Sequence, residues 1–271
     1  MAIRIITGVL LVAALAAALS MGGLVFSVSY MLTICIAMFE MYRALGQAGH
    51  RPVQWPAWLC LVLSIPLFHY IGSVTLLLPL VAGAAMMMAA FIMFRSQPRL
   101  EDLLVSIMPL ACVLLPGMCM LGLQNAPDRK TQLMLTILAF GIPLFGDTTA
   151  YFVGKAYGYG KLCPSVSPNK TIEGAGAGLL GSILFSVITW GVFSLFGHTS
   201  PFWHSLVLGV IGGIAGQLGD LFASLVKRHC GVKDYGNIFP GHGGMMDRLD
   251  SVYWSTVVMY IYLNIAIVPL R

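Results

Sequence analysis

The residues of this chain that could do chemistry gather in one polar stretch, SLVKRHCGVKDYGNIFPGHGGMMDRLDS, Ser224 to Ser251. Lys227, Arg228, Lys233 and Arg248 supply positive charge, and Asp234, Asp247 and Asp250 supply hard oxygen donors. Gly241, Gly243 and Gly244 let the backbone approach an anion closely. Such a set suits phosphate groups and a metal ion. The rest of the chain gives this concentration its meaning. Only 9% of the residues are charged, against roughly 25% in an ordinary soluble domain. A very apolar protein that collects its few charges in one place is usually using them there.

Spacing sharpens the reading. Asp220, Ser224, Lys227 and Arg228 stand at i, i+4, i+7 and i+8, one face of a helix leaving an apolar run. An acid, a hydroxyl and two cations in a row could hold a metal and a triphosphate; the plainer alternative is an Asp–Lys pair beside a basic flank. Pro240 to Gly244 must form a tight, irregular turn. Asp247, Asp250 and Ser251 then stand at i, i+3 and i+4 where the last helix begins, so one acid could be a cap for the helix dipole and the other could face a metal. Upstream, Asp147 interrupts the run LAFGIPLFGDTTAYFVG, where a carboxylate is costly unless paired, metal-bound or facing water. It shares a helix face with Tyr151 and Gly154. In KLCPSVSPNKTIEG, Pro164 and Pro168 forbid a regular helix. Ser167, Lys170 and Thr171 offer hydroxyls and a cation in a tight turn ahead of a helix that starts with Glu173, Gly174, Gly176 and Gly178. That arrangement suits a phosphate, or else an ordinary Ser-Pro loop with a Ser or Thr cap. No strand is expected before the glycines, so they do not read as a dinucleotide fingerprint.

From Ser224 to Asp250 the pattern Ser-x-Val-Lys-Arg, four residues, Lys233-Asp234-x-Gly236, then Phe239-Pro240-x-His242-Gly243-Gly244-Met245-x-Asp247-Arg248-Leu249-Asp250 resembles the full signature of the phosphatidate cytidylyltransferases, or CDP-diacylglycerol synthases. It runs unbroken and is far more specific than a short glycine motif. Asp147-Thr-Thr-Ala-Tyr151-Phe-Val-Gly154, Ser167-Pro-Asn-Lys170-Thr171-x-Glu173-Gly174 and Gly219-Asp220-Leu221 are similar to that family too. The resemblance covers about 145–255; before 125 it extends only to length and hydropathy. Thr149 and Ile172 depart from it without touching a residue of obvious chemistry.

The resemblance implies that CTP and phosphatidate give CDP-diacylglycerol and pyrophosphate. The lipid phosphate is already anionic, so positioning and charge neutralisation are the enzyme's work. Mg²⁺ takes a few carboxylates besides phosphate oxygens and waters. Asp220 and Asp247 are the first expected ligands, and Asp250 or Asp147 could complete a second site; one or two ions, with an additional monovalent ion, are compatible with the sequence. Lys227, Arg228, Lys233 and Arg248 would hold triphosphate and lipid phosphate, as would Ser167, Lys170 and Thr171, with Ser224 beside them on the Asp220 face. Gly243 and Gly244 would admit an anion to the backbone. Asp234 and Glu173 could orient the cations or bond cytosine or ribose. His242 could donate to the leaving pyrophosphate or stabilise its own turn.

The elements that must position these residues are read from hydropathy. The chain has 271 residues, 58% of them hydrophobic, and a mean hydropathy of +0.88. Continuous apolar runs between short charged loops indicate an all-α, polytopic integral membrane protein. A β-barrel would alternate instead. Nine spans are expected, at about 4–20, 23–42, 56–72, 75–94, 103–123, 131–153, 174–197, 205–226 and 252–270, although the first pair is divided only by Met21-Gly22-Gly23 and eight spans also fit. Numbering the loops alternately puts twelve Lys and Arg on one side and Arg129, Lys130 and Arg271 on the other. Before residue 150 the split is five to two. The positive-inside rule therefore places the N-terminus and both polar loops, 154–173 and 227–251, in the cytoplasm, with catalytic loops facing it from a bacterial-type inner membrane. The first apolar run is expected to be an uncleaved first span.

Residues 1–125 read as a helical scaffold and 126–271 as the catalytic region. Glu40, an acid within a span, lies near the cytoplasmic end and is expected to snorkel to the interface. The six cysteines lack zinc spacing and are expected to form neither a disulfide nor a zinc site. The scattered basic residues do not point to nucleic acid; the partners expected are CTP, phosphatidate and the bilayer. Gly209, Gly212, Gly213, Gly216 and Gly219 should allow close helix packing, within the chain or across a homodimer. Two rivals remain: a CTP-dependent lipid kinase attacking the γ-phosphorus, and a secondary transporter using Asp147 and Asp220 for a coupling ion.

Overall fold

The structure, a computed structural model, describes residues 2–71, 77–198, 200–241 and 243–267, with the side chains of 2–6 and 66–71 left out. Its regular structure is helical apart from one two-stranded sheet and an isolated bridge between Phe239 and Gly243. Each of the nine expected apolar stretches is largely helical over its described residues, with Phe94, Phe196 and Gly197 in turns beyond the helix ends. Five helical stretches are long and apolar enough to cross a membrane: Gly23–Gln47, Leu100–Asn125, Arg129–Tyr157, Ile172–Leu195 and Phe202–His229. The chain folds as two compact units, Met1–Gly122 with His229–Arg248, and Leu123–Arg228 with Leu249–Arg271.

The first unit holds α1 (Ala2–Met21), α2 (Gly23–Gln47), α3 (Trp55–Ile71), α4 (Leu77–Met93), α5 (Leu100–Pro109) and α6 (Leu115–Gly122). Gly22 and Gly23 take φ of 60° and 46°, the left-handed region, and so part α1 from α2. Between Pro109 and Pro116 the fifth stretch loosens into a π turn, Leu110–Leu114, as expected where ring nitrogens cannot donate to the helical ladder. Helix α2 is the centre of this unit, with Ile34, Ala37, Met38, Met41 and Leu45 buried. Polar ties lock it to α5. The Tyr42 hydroxyl donates to Ser106 O at 2.8 Å, and Ser106 Oγ accepts from Val53 N at 2.8 Å. Asp102, buried in the first turn of α5, accepts from Arg51 N at 2.9 Å and pairs with Arg95 at 3.4 Å.

The second unit holds α7 (Arg129–Tyr157), β1 (Lys161–Cys163), β2 (Ser167–Thr171), α8 (Ile172–Leu195), α9 (Phe202–His229) and most of α10 (Met246–Tyr262), which runs on into a π turn, Leu263–Ile267. Asp128 caps α7, its Oδ1 accepting from Thr131 N at 2.9 Å. The expected Ser-Pro turn is a β-hairpin, antiparallel, with Lys161 opposite Thr171 and Cys163 opposite Ser167. The architecture remains all-α, and the hairpin is a local feature within it: with helix forbidden by the two prolines, the segment satisfies its backbone by pairing with itself, and so puts a strand ahead of the α8 glycines where none was expected. The glycines of α9 serve close packing as expected. A Cβ on Gly209 would lie 2.7 Å from Ile183 Cα, one on Gly213 2.7 Å from Ser182 Cβ, and one on Gly219 2.8 Å from Asp250 O.

Candidate active site

In the second unit the hairpin brings the upstream motifs together. A cleft of about 430 Å³ is walled by α7, β2, the start of α8 and α9. Asp147, Tyr151 and Gly154, expected on one helix face, all line it; so do Lys170 and Thr171 from β2, and Gln217 and Asp220 from α9. Lys170 and Asp220 form an ion pair. Thr171 is buried and caps α8, its Oγ1 accepting from Gly174 N at 3.1 Å. Glu173, the next acid, reaches backward: its carboxylate accepts from Tyr159 N at 3.1 Å and Gly160 N at 3.3 Å, fixing the entry to the hairpin. Ser167 opens β2, half-buried. Gln217 donates to Ala175 O at 3.0 Å, holding α9 to α8 at the cleft.

Further along α9, Ser224 and Lys227 are half-buried and Arg228 is exposed. The Arg228 Nε donates to Val166 O at 3.3 Å in the hairpin turn. Asp250 is buried in the same unit, and its Oδ1 accepts from Ser251 N at 2.7 Å. Burial pushes its carboxyl up to about 7; the neighbouring Asp220 adds to the rise, Lys227 opposes it, and Asp147 adds a weaker push. Asp220, Lys227 and Asp147 therefore all act electrostatically on Asp250; the spacing along the sequence had placed only Asp220 and Lys227 on one face.

The first unit contains the signature loop. Gly241 and Gly243 take φ of 77° and 84°, and Phe239 N donates to Gly243 O at 3.0 Å, so the turn is tight and irregular as expected. His242 lies outside the described residues. Asp247 Oδ2 accepts from Tyr235 N at 2.8 Å and Gly244 N at 3.0 Å, drawing both ends of the loop onto the start of α10. Lys233, Asp234 and Arg248 are exposed around it. A Cβ on Gly243 would lie 3.1 Å from Asp247 Oδ2 and 3.4 Å from Asp234 Oδ1.

Glu40 corrects the expectation made for it. It does not snorkel: it is 1% exposed, and its Oε2 accepts from Met246 N at 2.9 Å. Gly236 and Gly244 both close on its carboxylate. Snorkelling suits a long flexible side chain with water in reach, whereas this short acid is enclosed by the folded loop. The signal was present in the sequence, because an acid inside an apolar run carries the same cost at position 40 as at position 147. Asn169 and Gln217 were also missed; only the fold brings them to the cleft.

The sequence model of the cytidylyltransferase family matches residues 2–266, and the chain belongs to that family. The match takes in the first 125 residues, where the signature-based resemblance had extended only to length and hydropathy. The chain is 43% identical to a phosphatidate cytidylyltransferase of Bacillus subtilis over 118 residues, 43% of this chain and 42% of that protein. It is 43% identical over 135 residues to one of Staphylococcus epidermidis, 50% of this chain and 51% of the relative, and 40% identical over 142 residues to one of Synechocystis, 52% of this chain and 45% of the relative. The chain spans about half the length of the curated relatives it matches.

Proposed function

We propose that this chain transfers a cytidylyl group from CTP to phosphatidate, releasing pyrophosphate and leaving CDP-diacylglycerol in the membrane. The observation that carries the reading is the cleft of the second unit. There a hairpin lysine and a helix aspartate pair in the cleft that Asp147 also lines, all within the range matched by the family model. In the reaction a phosphate oxygen of the lipid bonds to the α-phosphorus of CTP as the bond from that phosphorus to the oxygen it shares with the β-phosphorus breaks, the oxygen and its electron pair leaving with pyrophosphate. Two anions have to meet, so neutralisation is the main demand. Lys170, Lys227, Arg228, Lys233 and Arg248 supply it. Ser167, Thr171 and Ser224 donate hydroxyl hydrogen bonds. Asp234 and Glu173 orient the basic groups, and His242 donates to the departing pyrophosphate.

The acids fit a divalent cation in their chemistry. Asp147, Asp220 and Asp250 are hard donors, and the first two both raise the carboxyl of the third. Among the described residues no three His, Cys, Asp or Glu close into a cage. That is compatible with Mg²⁺, which draws much of its shell from phosphates and water. On the resemblance, Asp220 and Asp247 are the ligands we propose for it, with Asp147 or Asp250 for a second ion. When bound, the metal neutralises the phosphate oxygens and polarises the α-phosphorus. Asp247, with one oxygen held by two backbone N–H groups, enters that role already oriented.

The basic-residue asymmetry supports nine spans with the N-terminus and both polar loops on the cytoplasmic side, where CTP is found. The glycine face of α9 is used within the chain, so a homodimer would need another surface. The test is purified protein in detergent with phosphatidate, Mg²⁺ and CTP labelled at the α-phosphate. Label in the lipid phase with pyrophosphate in the water, lost with EDTA, is the expected result. CDP release without labelled lipid would make it a kinase instead, and no CTP consumption beside an active control enzyme would favour transport.

A further inference from the structure

Helix α2 carries two charged residues, Glu40 and Arg43, one turn apart, and both hold the signature loop. Arg43 Nη2 donates to Tyr235 O at 2.8 Å, while Tyr235 N donates to Asp247 Oδ2 at 2.8 Å. Glu40 Oε2 accepts from Met246 N at 2.9 Å, immediately before Asp247. The same peptide region is thus gripped from α2 at its start and its end. The glycines of the loop have a specific reason to be glycines here. A Cβ on Gly236 would run into Glu40 Oε1, and one on Gly244 would sit 2.6 Å from Glu40 Cδ. Glu40 Oε1 is buried and makes no hydrogen bond of ordinary geometry, the Met245 N–H adding to that of Met246 in holding the carboxyl. A buried carboxylate with one oxygen unsatisfied is costly for stability alone. Scaffold packing needs no acid there, since Gln or Met would fill the space more cheaply.

We propose that Glu40, seconded by Arg43, is a positioning residue of the reaction: it is the peg around which residues 235–246 wrap, and it sets the place and orientation of Asp247. Glu40 itself touches neither substrate nor metal. It acts through Met246 N and through the close approach of Gly236 and Gly244. The inference rests on the proposed cytidylyl transfer for its kinetic consequence, but the loop anchoring stands on the geometry of the first unit alone.

The test uses full-length protein in detergent, as wild type, Glu40→Ala, Glu40→Gln and Arg43→Ala. Two readouts are taken: steady-state cytidylyl transfer with the Mg²⁺ concentration varied, and hydrogen–deuterium exchange of peptides covering 233–248. Misplacing a reacting group by about 1 Å can cost on the order of 10²-fold in rate. Glu40→Ala is therefore expected to lose about that factor in kcat, to need roughly tenfold more Mg²⁺ for half-maximal rate, and to change KM for CTP little. Exchange should quicken in 233–248 and stay as in wild type over α2 and α5. Glu40→Gln, which keeps an oxygen for Met246 N, should recover most of the rate. A purely structural role would lower thermal stability and the active fraction without moving the Mg²⁺ dependence, and that outcome overturns the proposal. So does wild-type exchange in the loop of Glu40→Ala. If Glu40→Ala does not fold, Arg43→Ala and Glu40→Gln decide by the same two readouts. If wild type transfers no cytidylyl group, the functional reading fails, and the exchange data alone decide whether Glu40 holds the loop.

Discussion

At the scale of single residues, the site separates side chains that hold the protein together from those available to ligand. Thr171 and Glu173 were read as substrate contacts, and the structure gives each a local task besides: a cap on α8 and a brace on the hairpin entry. Lys170 and Asp220 meet each other. Replacing Asp220 or Asp247 by Ala should lower turnover by at least the order of 10²-fold, a typical loss when one electrostatic group of a site is removed. Circular dichroism should still show the wild-type helix content; a variant that keeps full activity would remove that residue from the metal assignment. The glycines give a contrast in stability. Gly244→Ala forces a methyl against the Glu40 carboxylate and should cost about 1–3 kcal/mol, as overpacking does. Gly176→Ala, on α8 with nothing within 4 Å, should be neutral or stabilising by up to about 1 kcal/mol through helix propensity. Thermal unfolding in one detergent compares the two, and equal effects would mean that Gly244 is not confined as described.

At the scale of elements, the capped start of α7 and the hairpin matter most, because α7 brings Asp147 to the cleft and β2 brings Lys170. Asp128 accepts from both the side chain and the backbone of Thr131, and these hydrogen bonds hold its carboxyl below its ordinary value. The sign follows directly. A depressed folded pKa contributes stability above the unfolded value, and that contribution disappears as the pH falls through the folded one. Asp128→Ala should therefore cost about 1 kcal/mol at neutral pH, as loss of an N-cap does, and the gap to wild type should narrow on acidification below about pH 4. Because Asp128 is exposed, the electrostatic part is small. Unfolding midpoints at pH 7 and pH 3.5 check this; a gap that stays constant would mean that the capping bonds do not depend on ionisation.

At the scale of the whole molecule, the orientation proposal has a direct test in single cysteines placed in a cysteine-free background. Ser165→Cys, exposed in the hairpin turn, should be hidden from an impermeant maleimide in sealed right-side-out vesicles. Pro127→Cys, exposed before α7, should be labelled. The reverse pattern would invert the topology and put the cleft on the side away from CTP. Membership of the cytidylyltransferase family over residues 2–266 also changes how the first half of the chain is understood. Helices that read as apolar scaffold carry Glu40 and Arg43, and both of these hold the loop of the signature.

The sequence by itself determined the class of protein and the helical stretches, and it singled out the candidate residues for the chemistry, because these depend on local properties. Apolar run length decides what can cross a bilayer, and helical periodicity decides that Asp147, Tyr151 and Gly154 share a face. The unbroken signature from Ser224 to Asp250 pointed to the family without any contact being known. Tertiary structure decided what depends on partners distant in the chain. Glu40 lies 206 residues from Met246, so neither its hydropathy nor its place in a span could reveal the hydrogen bond between them. The hairpin was hidden for a related reason. Pro164 and Pro168 say what the backbone cannot be, whereas the pairing of Lys161 with Thr171 depends on the two strands finding each other. Likewise, the pairing of Lys170 with Asp220 exists only because the hairpin folds back onto α9.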